Sequence, residues 1–196
     1  VGDVRDAEAL AGLADVIARG HDGIDALVAC AGVKVRGRID AIDAEAFDEA
    51  LAINLKGAFL AARAVVGHMR AAQRGSIVFV GSGSAYGDPD AIAYAAAKGG
   101  LHALGASLAT DLAADRVRVN VVVPGFVDSP MAAGASAARR AELARSAVAG
   151  RLTTPDDVAD VIAFLCSPAA ATLSGGFYDV GHAHQQPVAP APRAHP

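Results

Sequence analysis

Gly75-Ser76-Ile77-Val78-Phe79-Val80-Gly81-Ser82 is the stretch from which the fold is read. Ser76 to Val80 is nearly continuous in apolar character, as a strand covered on both faces should be. Gly81 to Ala91, rich in Gly, Ser, Asp and Pro, reads as a loop. Ala93 to about Ala114 then reads as a long, Ala-rich helix, and near its start stands Tyr94-Ala95-Ala96-Ala97-Lys98. A Tyr and a Lys four apart on a helix lie on one face, one turn above the other. An ammonium near a phenol stabilises the phenolate and is expected to lower the Tyr94 pKa toward neutrality. Tyr94 then becomes a proton donor or acceptor. The Ser82 hydroxyl, brought alongside, can hold a carbonyl or alcohol oxygen for the same transfer. Such a pair also occurs by chance on solvated helix faces, so its surroundings decide.

Working outward, the chain alternates strands and helices. Val1 to Val4 reads as the tail of a strand. Arg5 to Arg19 carries Leu10, Leu13, Val16 and Ile17 at helical spacing, with Asp6 as N-cap and Gly20 as a stop. Ile24 to Ala29 is a short apolar run ending in Cys30-Ala31-Gly32, where small residues let a ligand approach the backbone. Val33 to Ala41 is a loop. Asp43 caps a helix through Leu51, and a longer helix follows to about Ala72, burying Leu55, Phe59, Leu60 and Val65 along one side. Beyond the long Ala-rich helix, Val117 to Val123 is a Val-rich strand stopped by Pro124-Gly125. Asp128 to Gly150 is irregular to helical and is a candidate mobile lid. Thr154 caps a helix with Pro155 at its first position, running to about Cys166. Gly176 to Val180 is a last strand. This alternation predicts an α/β fold, a doubly wound parallel sheet with helices on both faces. In such sheets ligands bind beyond the carboxyl ends of the strands. Cys30-Ala31-Gly32, the Ser82 loop and Pro124-Gly125 all fall there, with Tyr94 close by, so four segments converge on one rim.

Composition agrees with a single domain. There are 196 residues, 53 % of them hydrophobic, with a formal net charge of −4. A chain this apolar can build a large core. Its basic residues are scattered, which argues against nucleic acid as a partner, because phosphate binding needs a basic patch. Cys30 and Cys166 stand far apart and in no metal-binding array, and are expected as two buried thiols in a reducing, cytoplasmic setting. No apolar run is expected to reach membrane-spanning length. His182 and His184 lie in a Pro/Gln-rich tail without a third ligand, so no metal site is expected. Residues 1–182 are read as the folded domain and residues 183–196 as a disordered tail.

Taken together the motifs resemble the short-chain dehydrogenase/reductase family, single-domain Rossmann-like oxidoreductases, from Asp3 to about Val180. Gly75 to Ser82 resembles the strand that ends in the family's catalytic Ser, matching Ser82. The Tyr-x-x-x-Lys motif matches Tyr94 and Lys98. Ile53-Asn54-Leu55-Lys56-Gly57 resembles the segment carrying a fourth catalytic residue, matching Asn54. Arg118-Val119-Asn120 and Pro124-Gly125-Phe126-Val127-Asp128-Ser129 resemble the family's turn beneath the nicotinamide, and Arg151 to Ser167 its penultimate helix.

The resemblance implies an NAD- or NADP-dependent interconversion of a small-molecule carbonyl and alcohol. Tyr94 would pass a proton to the carbonyl oxygen while the nicotinamide delivers hydride to its carbon. Lys98 would bind the nicotinamide ribose and lower the Tyr94 pKa, Ser82 would orient the substrate oxygen, and Asn54 would hold a water linking Lys98 to solvent. The cofactor-binding set implied is Asp3, Val4, Ala29, Ala31, Gly32, Tyr94, Lys98, Pro124, Gly125, Val127 and Ser129. A homo-oligomer, a dimer or tetramer, is implied through the helices Asn54–Ala72 and Ala93–Ala114.

Departures are specific. Ala29-Cys30-Ala31-Gly32 stands where the family has Asn-Asn-Ala-Gly, Ser129 where it mostly has Thr, and Gly181-His182 where it has Asp-Gly. The family's opening strand, Gly-rich turn and helix, with the second strand and helix, do not match anything before Val1. The expectation is an N-terminal truncation by two βα units, roughly 50–60 residues, which removes the turn that cradles the pyrophosphate. The alternative function is a truncated, inactive relative that serves as a binding or assembly partner. Among the other residues, Asp156-Asp157 suits the first turn of its helix, Met131 suits packing over the site, and Tyr86 suits either a pocket wall or an ordinary loop position.

Overall fold

The computed structural model describes residues 2–181. Four parallel strands, β1 (Ala26–Ala29), β2 (Gly75–Val80), β3 (Val117–Pro124) and β4 (Phe177–Val180), lie side by side in the order of the sequence. Their registers set Ala29 opposite Phe79, Val80 opposite Val122 and Pro124 opposite Val180. The carboxyl ends therefore form one continuous rim. Parallel neighbours need crossover connections, and these are helical. α1 (Ala7–Gly20) precedes β1. α2 (Ala44–Leu51) and α3 (Gly57–Ala72) join β1 to β2, α4 (Ile92–Asp111) joins β2 to β3, and α5 (Ala137–Ser146) and α6 (Pro155–Cys166) join β3 to β4.

The two faces of the sheet explain the unbroken apolar runs. Side chains alternate along a strand. Ile77 and Phe79 of β2, with Val119, Val121 and Val123 of β3, enter one core with Ala62, Val65 and Met69 of α3 and Leu101 of α4. Val78 and Val122 point the other way, into a second core with Val158 and Leu165 of α6 and Val180 of β4. Each fully buried Val, Ile, Leu or Phe contributes about 1.5–3 kcal/mol of transfer free energy before ordering entropy is counted. α4 lies close to the sheet because of Gly105, where a Cβ would stand 2.6 Å from Cγ2 of Val121.

Helix starts follow the expected caps. Asp6 accepts from the amides of Glu8 and Ala9, Asp43 from that of Ala46, and Thr154 forms a reciprocal capping box with Asp157 ahead of Pro155. Each box or cap satisfies amides that the helix cannot.

The polar residues of the Arg118-Val119-Asn120 motif serve the scaffold. Arg118 donates to the carbonyl of Leu165 at 2.7 Å and to that of Ser167 at 3.3 Å. Asn120 donates to Leu173 O and accepts from the Gly176 amide. They tie β3 to the end of α6 and to the lead-in of β4.

Several expectations need correction. Val1–Val4 is not a strand tail among the described residues: Gly2 and Asp3 are irregular, and Val4-Arg5 turn into α1. Among the described residues β1 pairs only with β2, and none of their strands offers Asp3 and Val4 a ladder. The Asp3 carbonyl instead accepts from the Asp6 amide at 3.0 Å. Cys30 is exposed rather than buried, because it follows the last residue of β1 on the rim. The helices expected on either side of Leu51 are one continuous run, 44–72, joined by a π-helical turn at Ala52–Lys56. An 18-residue window of this run reaches mean hydropathy 1.4, so the run is long and apolar enough to cross a membrane by length and composition. It is partly buried here, with Leu60, Val65 and Met69 turned into the protein. α5 gives the segment 128–150 a regular helix. The tail 183–196, His182 and His184 lie outside the described residues, and no metal-type cluster of His, Cys, Asp or Glu occurs among those described.

Candidate active site

Lys98 is the centre of the rim. It is almost fully buried on α4, and its Nζ donates to the carbonyl of Val80, the last residue of β2, at 2.7 Å. Burial pulls its pKa down to about 8, partly offset by the nearby Cys30. Tyr94, one turn earlier, is buried with its ring centroid 5.6 Å from Lys98 Nζ. Burial pushes its phenol above the ordinary value, and a hydrogen bond with Ser82 pulls the other way. The expected lowering by Lys98 is therefore not what the site shows. Removing the phenolate from water outweighs the hydrogen bond, and the ammonium is engaged with Val80.

Ser82, two residues past β2, has extended backbone and caps the short 3-10 turn Gly83–Tyr86, where its Oγ accepts from the Ser84 amide at 3.1 Å. Asn54, 1 % exposed, sits in the π-helical turn between α2 and α3. Such turns are often found at functional sites. Its Nδ2 donates to Val33 O and to Ala50 O, both at 2.9 Å, and its Oδ1 accepts from the Val33 amide at 3.1 Å. Both amide hydrogens are thus used, leaving one lone pair of Oδ1 for a water. Asn54 clamps the turn after β1 against the helix.

Gly32 joins these groups. A Cβ there would stand 2.7 Å from Asn54 Oδ1 and 3.7 Å from Lys98 Nζ. The bare backbone leaves an open approach beside a buried ammonium and a buried amide, which suits the hydroxyls of a ribose. Pro124 closes β3, and the Gly125 amide donates to Val180 O at 2.9 Å. Val127 bridges Thr153, and Ser129 leads the turn Pro130–Ala132. Ala29 ends β1 opposite Phe79, with Ala31 two residues on. Asp3 stands apart, paired with Arg5 at 2.5 Å. Val4 packs on Gly57, whose Cβ would lie 2.7 Å from Val4 Cγ2, at the end of the π turn.

Two further features gave no sequence signal. Lys34 Nζ lies 2.8 Å from Asp88 Oδ2 and 5.3 Å from the Tyr94 ring centroid. Those partners are 54 and 60 residues away in the chain, so no local spacing announces them. His102, one turn beyond Lys98, packs its ring between Tyr86 and Phe177, with centroids 5.6 and 5.1 Å away. Its Nε2 is buried without a hydrogen-bond partner among the described residues. Burial, with Lys98 adding to it, keeps the imidazole pKa below its usual value. Its place one turn beyond Lys98 on α4 is the one signal that could have found it.

Comparison with known proteins bears on this rim. The family model described as enoyl-(acyl carrier protein) reductase matches residues 1–181. The cis-4-hydroxycyclohexanecarboxylate dehydrogenase of Sinomonas cyclohexanicum is 38 % identical over 180 residues, 91 % of this chain and 72 % of that protein. The 3-oxoacyl-[acyl-carrier-protein] reductase of Thermotoga maritima is 34 % identical over 175 residues, 88 % of this chain and 71 % of that one. A crystal structure of a Sinorhizobium meliloti 1021 protein assigned as a short-chain alcohol dehydrogenase superposes with a TM-score of 0.84 at 35 % identity, covering 91 % of this chain and 72 % of the other.

Proposed function

This chain belongs to the short-chain dehydrogenase/reductase family, an oxidoreductase family using NAD or NADP, and from that premise we propose the reaction and the roles of its residues. The reaction is reversible reduction of a small ketone to a secondary alcohol, with Tyr94 exchanging the proton on the substrate oxygen. The observation that carries this reading is the buried Tyr94 phenol, hydrogen-bonded with Ser82 and one helical turn from the buried Lys98 ammonium. A phenol kept protonated by burial is a competent acid toward a developing alkoxide. Ser82 orients the carbonyl oxygen beside it. Lys98, on the Val80 carbonyl, stabilises the phenolate left after transfer and offers its remaining hydrogens to ribose hydroxyls. Asn54 holds the Gly32-Val33 turn where a ribose would rest. A bound nicotinamide supplies the hydride; Gly32, Tyr94, Lys98, Pro124, Gly125, Val127 and Ser129 would hold its nicotinamide half, with Ala29, Ala31, Asp3 and Val4 toward the adenosine.

The substrate class follows from the relatives. One is named for a hydroxycyclohexanecarboxylate, another is a cyclopentanol dehydrogenase 35 % identical over 177 residues, and others are 3-oxoacyl reductases. All names point to secondary alcohols or ketones. We place a homo-oligomer contact on α3 and α4, where Phe59, Val66 and Leu108, with Arg63, Arg70 and Asp111 beside them, line a groove.

Fluorescence titration with NADH and NADPH, followed by absorbance assays with cyclic and linear ketones, tests the reading. Binding of one nucleotide and turnover abolished by Tyr94→Phe support it. No nucleotide binding and no turnover would favour the assembly-partner reading instead. Light scattering that returns a monomer would remove the oligomer.

A further inference from the structure

We propose that the Lys34–Asp88 ion pair is a positioning device for the proton-transfer group, closing the loop after β1 onto the loop after β2 and setting opposed charges against Tyr94. The two loops meet at two places. Lys34 Nζ lies 2.8 Å from Asp88 Oδ2, which also accepts from Ser84 Oγ at 2.9 Å. Three residues on, the Gly37 amide donates to Asp90 O at 2.9 Å, and Gly37 bridges Ala91, the residue that begins α4's first turn. Lys34 thus anchors the segment that carries Ser82 at one end and feeds Tyr94 at the other.

The pair differs from a surface ion pair. Its side chains are 19 % and 21 % exposed, so solvent screens them less than it screens exposed charges. Lys34 Nζ lies 5.3 Å from the Tyr94 ring centroid, against 5.6 Å for Lys98. The phenol therefore faces a cation from the loop after β1 as closely as the cation from its own helix. Asp88, on the loop after β2, and Cys30, at the end of β1, face it with the opposite influence, and Ser82 faces it with its hydroxyl. Burial pushes the Asp88 carboxyl up, but the hydrogen bonds from Lys34 and Ser84 outweigh it, so Asp88 stays ionised below the ordinary range. Lys34 thus stands against the carboxylate whose charge, after burial, favours the protonated phenol.

The inference rests on the reading of Tyr94 as the proton-transfer residue, but its test needs neither cofactor nor substrate. Near-ultraviolet difference titration of the full chain, with Tyr94→Phe subtracted to isolate one phenol, reads the ionisation directly. Lys34→Met is expected to raise the Tyr94 pKa and Asp88→Asn to lower it, each by about half a unit to one unit. The double variant should return most of the way to the parent value. Lys34→Arg should leave the titration unchanged, and covers the case in which Lys34→Met does not fold. A purely structural tie would move both single variants in the same direction or not at all, and either result overturns the proposal. Should turnover be absent while the opposed shifts are seen, the charge arrangement stands and the reaction assignment falls.

Discussion

Lys98 Nζ donates to the Val80 carbonyl across 2.7 Å, joining the middle of α4's first turns to the end of β2. The bond holds a buried ammonium in place without neutralising it. The folded pKa, about 8, lies below the ordinary 10.5. Between those values the unfolded chain binds more protons, so stability rises with pH across that window, and below about 8 the full cost of burying the charge is present. Lys98→Met is expected to raise unfolding stability at pH 7 by about 2 kcal/mol while abolishing turnover. Urea titrations at pH 7 and pH 10 check this; the gain should shrink at the higher pH.

Asn54 makes three hydrogen bonds, two of them to the amide and carbonyl of Val33. Asn54→Leu keeps the volume but strands buried polar groups, at a cost of about 2–4 kcal/mol. The midpoint of urea unfolding should fall with an unchanged slope.

Gly32→Ala places a methyl 2.7 Å from Asn54 Oδ1. That oxygen is fixed by the Val33 amide, so it gives way only by breaking a buried bond. Nucleotide affinity is expected to fall at least tenfold, about 1.4 kcal/mol, more than stability does, in a titration compared with thermal unfolding.

Gly105→Ala tests the packing of α4 on the sheet. Alanine is the better helix former by about 1 kcal/mol, yet its Cβ would lie 2.6 Å from Cγ2 of the buried Val121. Overpacking should prevail, for a net loss of about 1–2 kcal/mol in chemical denaturation.

The start of α6 should respond to acid. The Arg151 guanidinium beside Asp157, with the amide and hydroxyl of Thr154, holds this carboxyl well below the usual range. A depressed folded pKa gives stability that is present above the unfolded value near 4 and is lost as pH falls below it. Thr154→Ala should cost about 1 kcal/mol at pH 7 and flatten the acid limb of the stability profile measured by circular dichroism.

The caps and strands were legible because they are local. Asp6, Asp43 and Thr154-Pro155 announce helix starts by chemistry confined to four residues, and the double-faced runs at Ile77–Val80 and Val117–Val123 announce covered strands. The failures were relational. Val1–Val4 has strand-like residues, but a strand needs a neighbour. Cys30 is apolar enough to be buried, but it stands past the end of β1. The π turn at Ala52–Lys56 has no compositional mark distinguishing it from an α-helical turn.

Residue order alone carried the alternation of elements and the parallel sheet, because periodicity is a property of neighbouring residues, and it marked Tyr94, Lys98 and Ser82 as candidates, with Asn54 added by the family resemblance. What those residues feel follows from how the chain packs. Burial governs the Tyr94 phenol, Val80 engages Lys98, Val33 occupies both polar ends of Asn54, and a lysine 60 residues upstream stands as close to the phenol ring as the one in its own motif. Dielectric surroundings and long-range pairing depend on how the chain closes on itself, and no spacing along the chain encodes them.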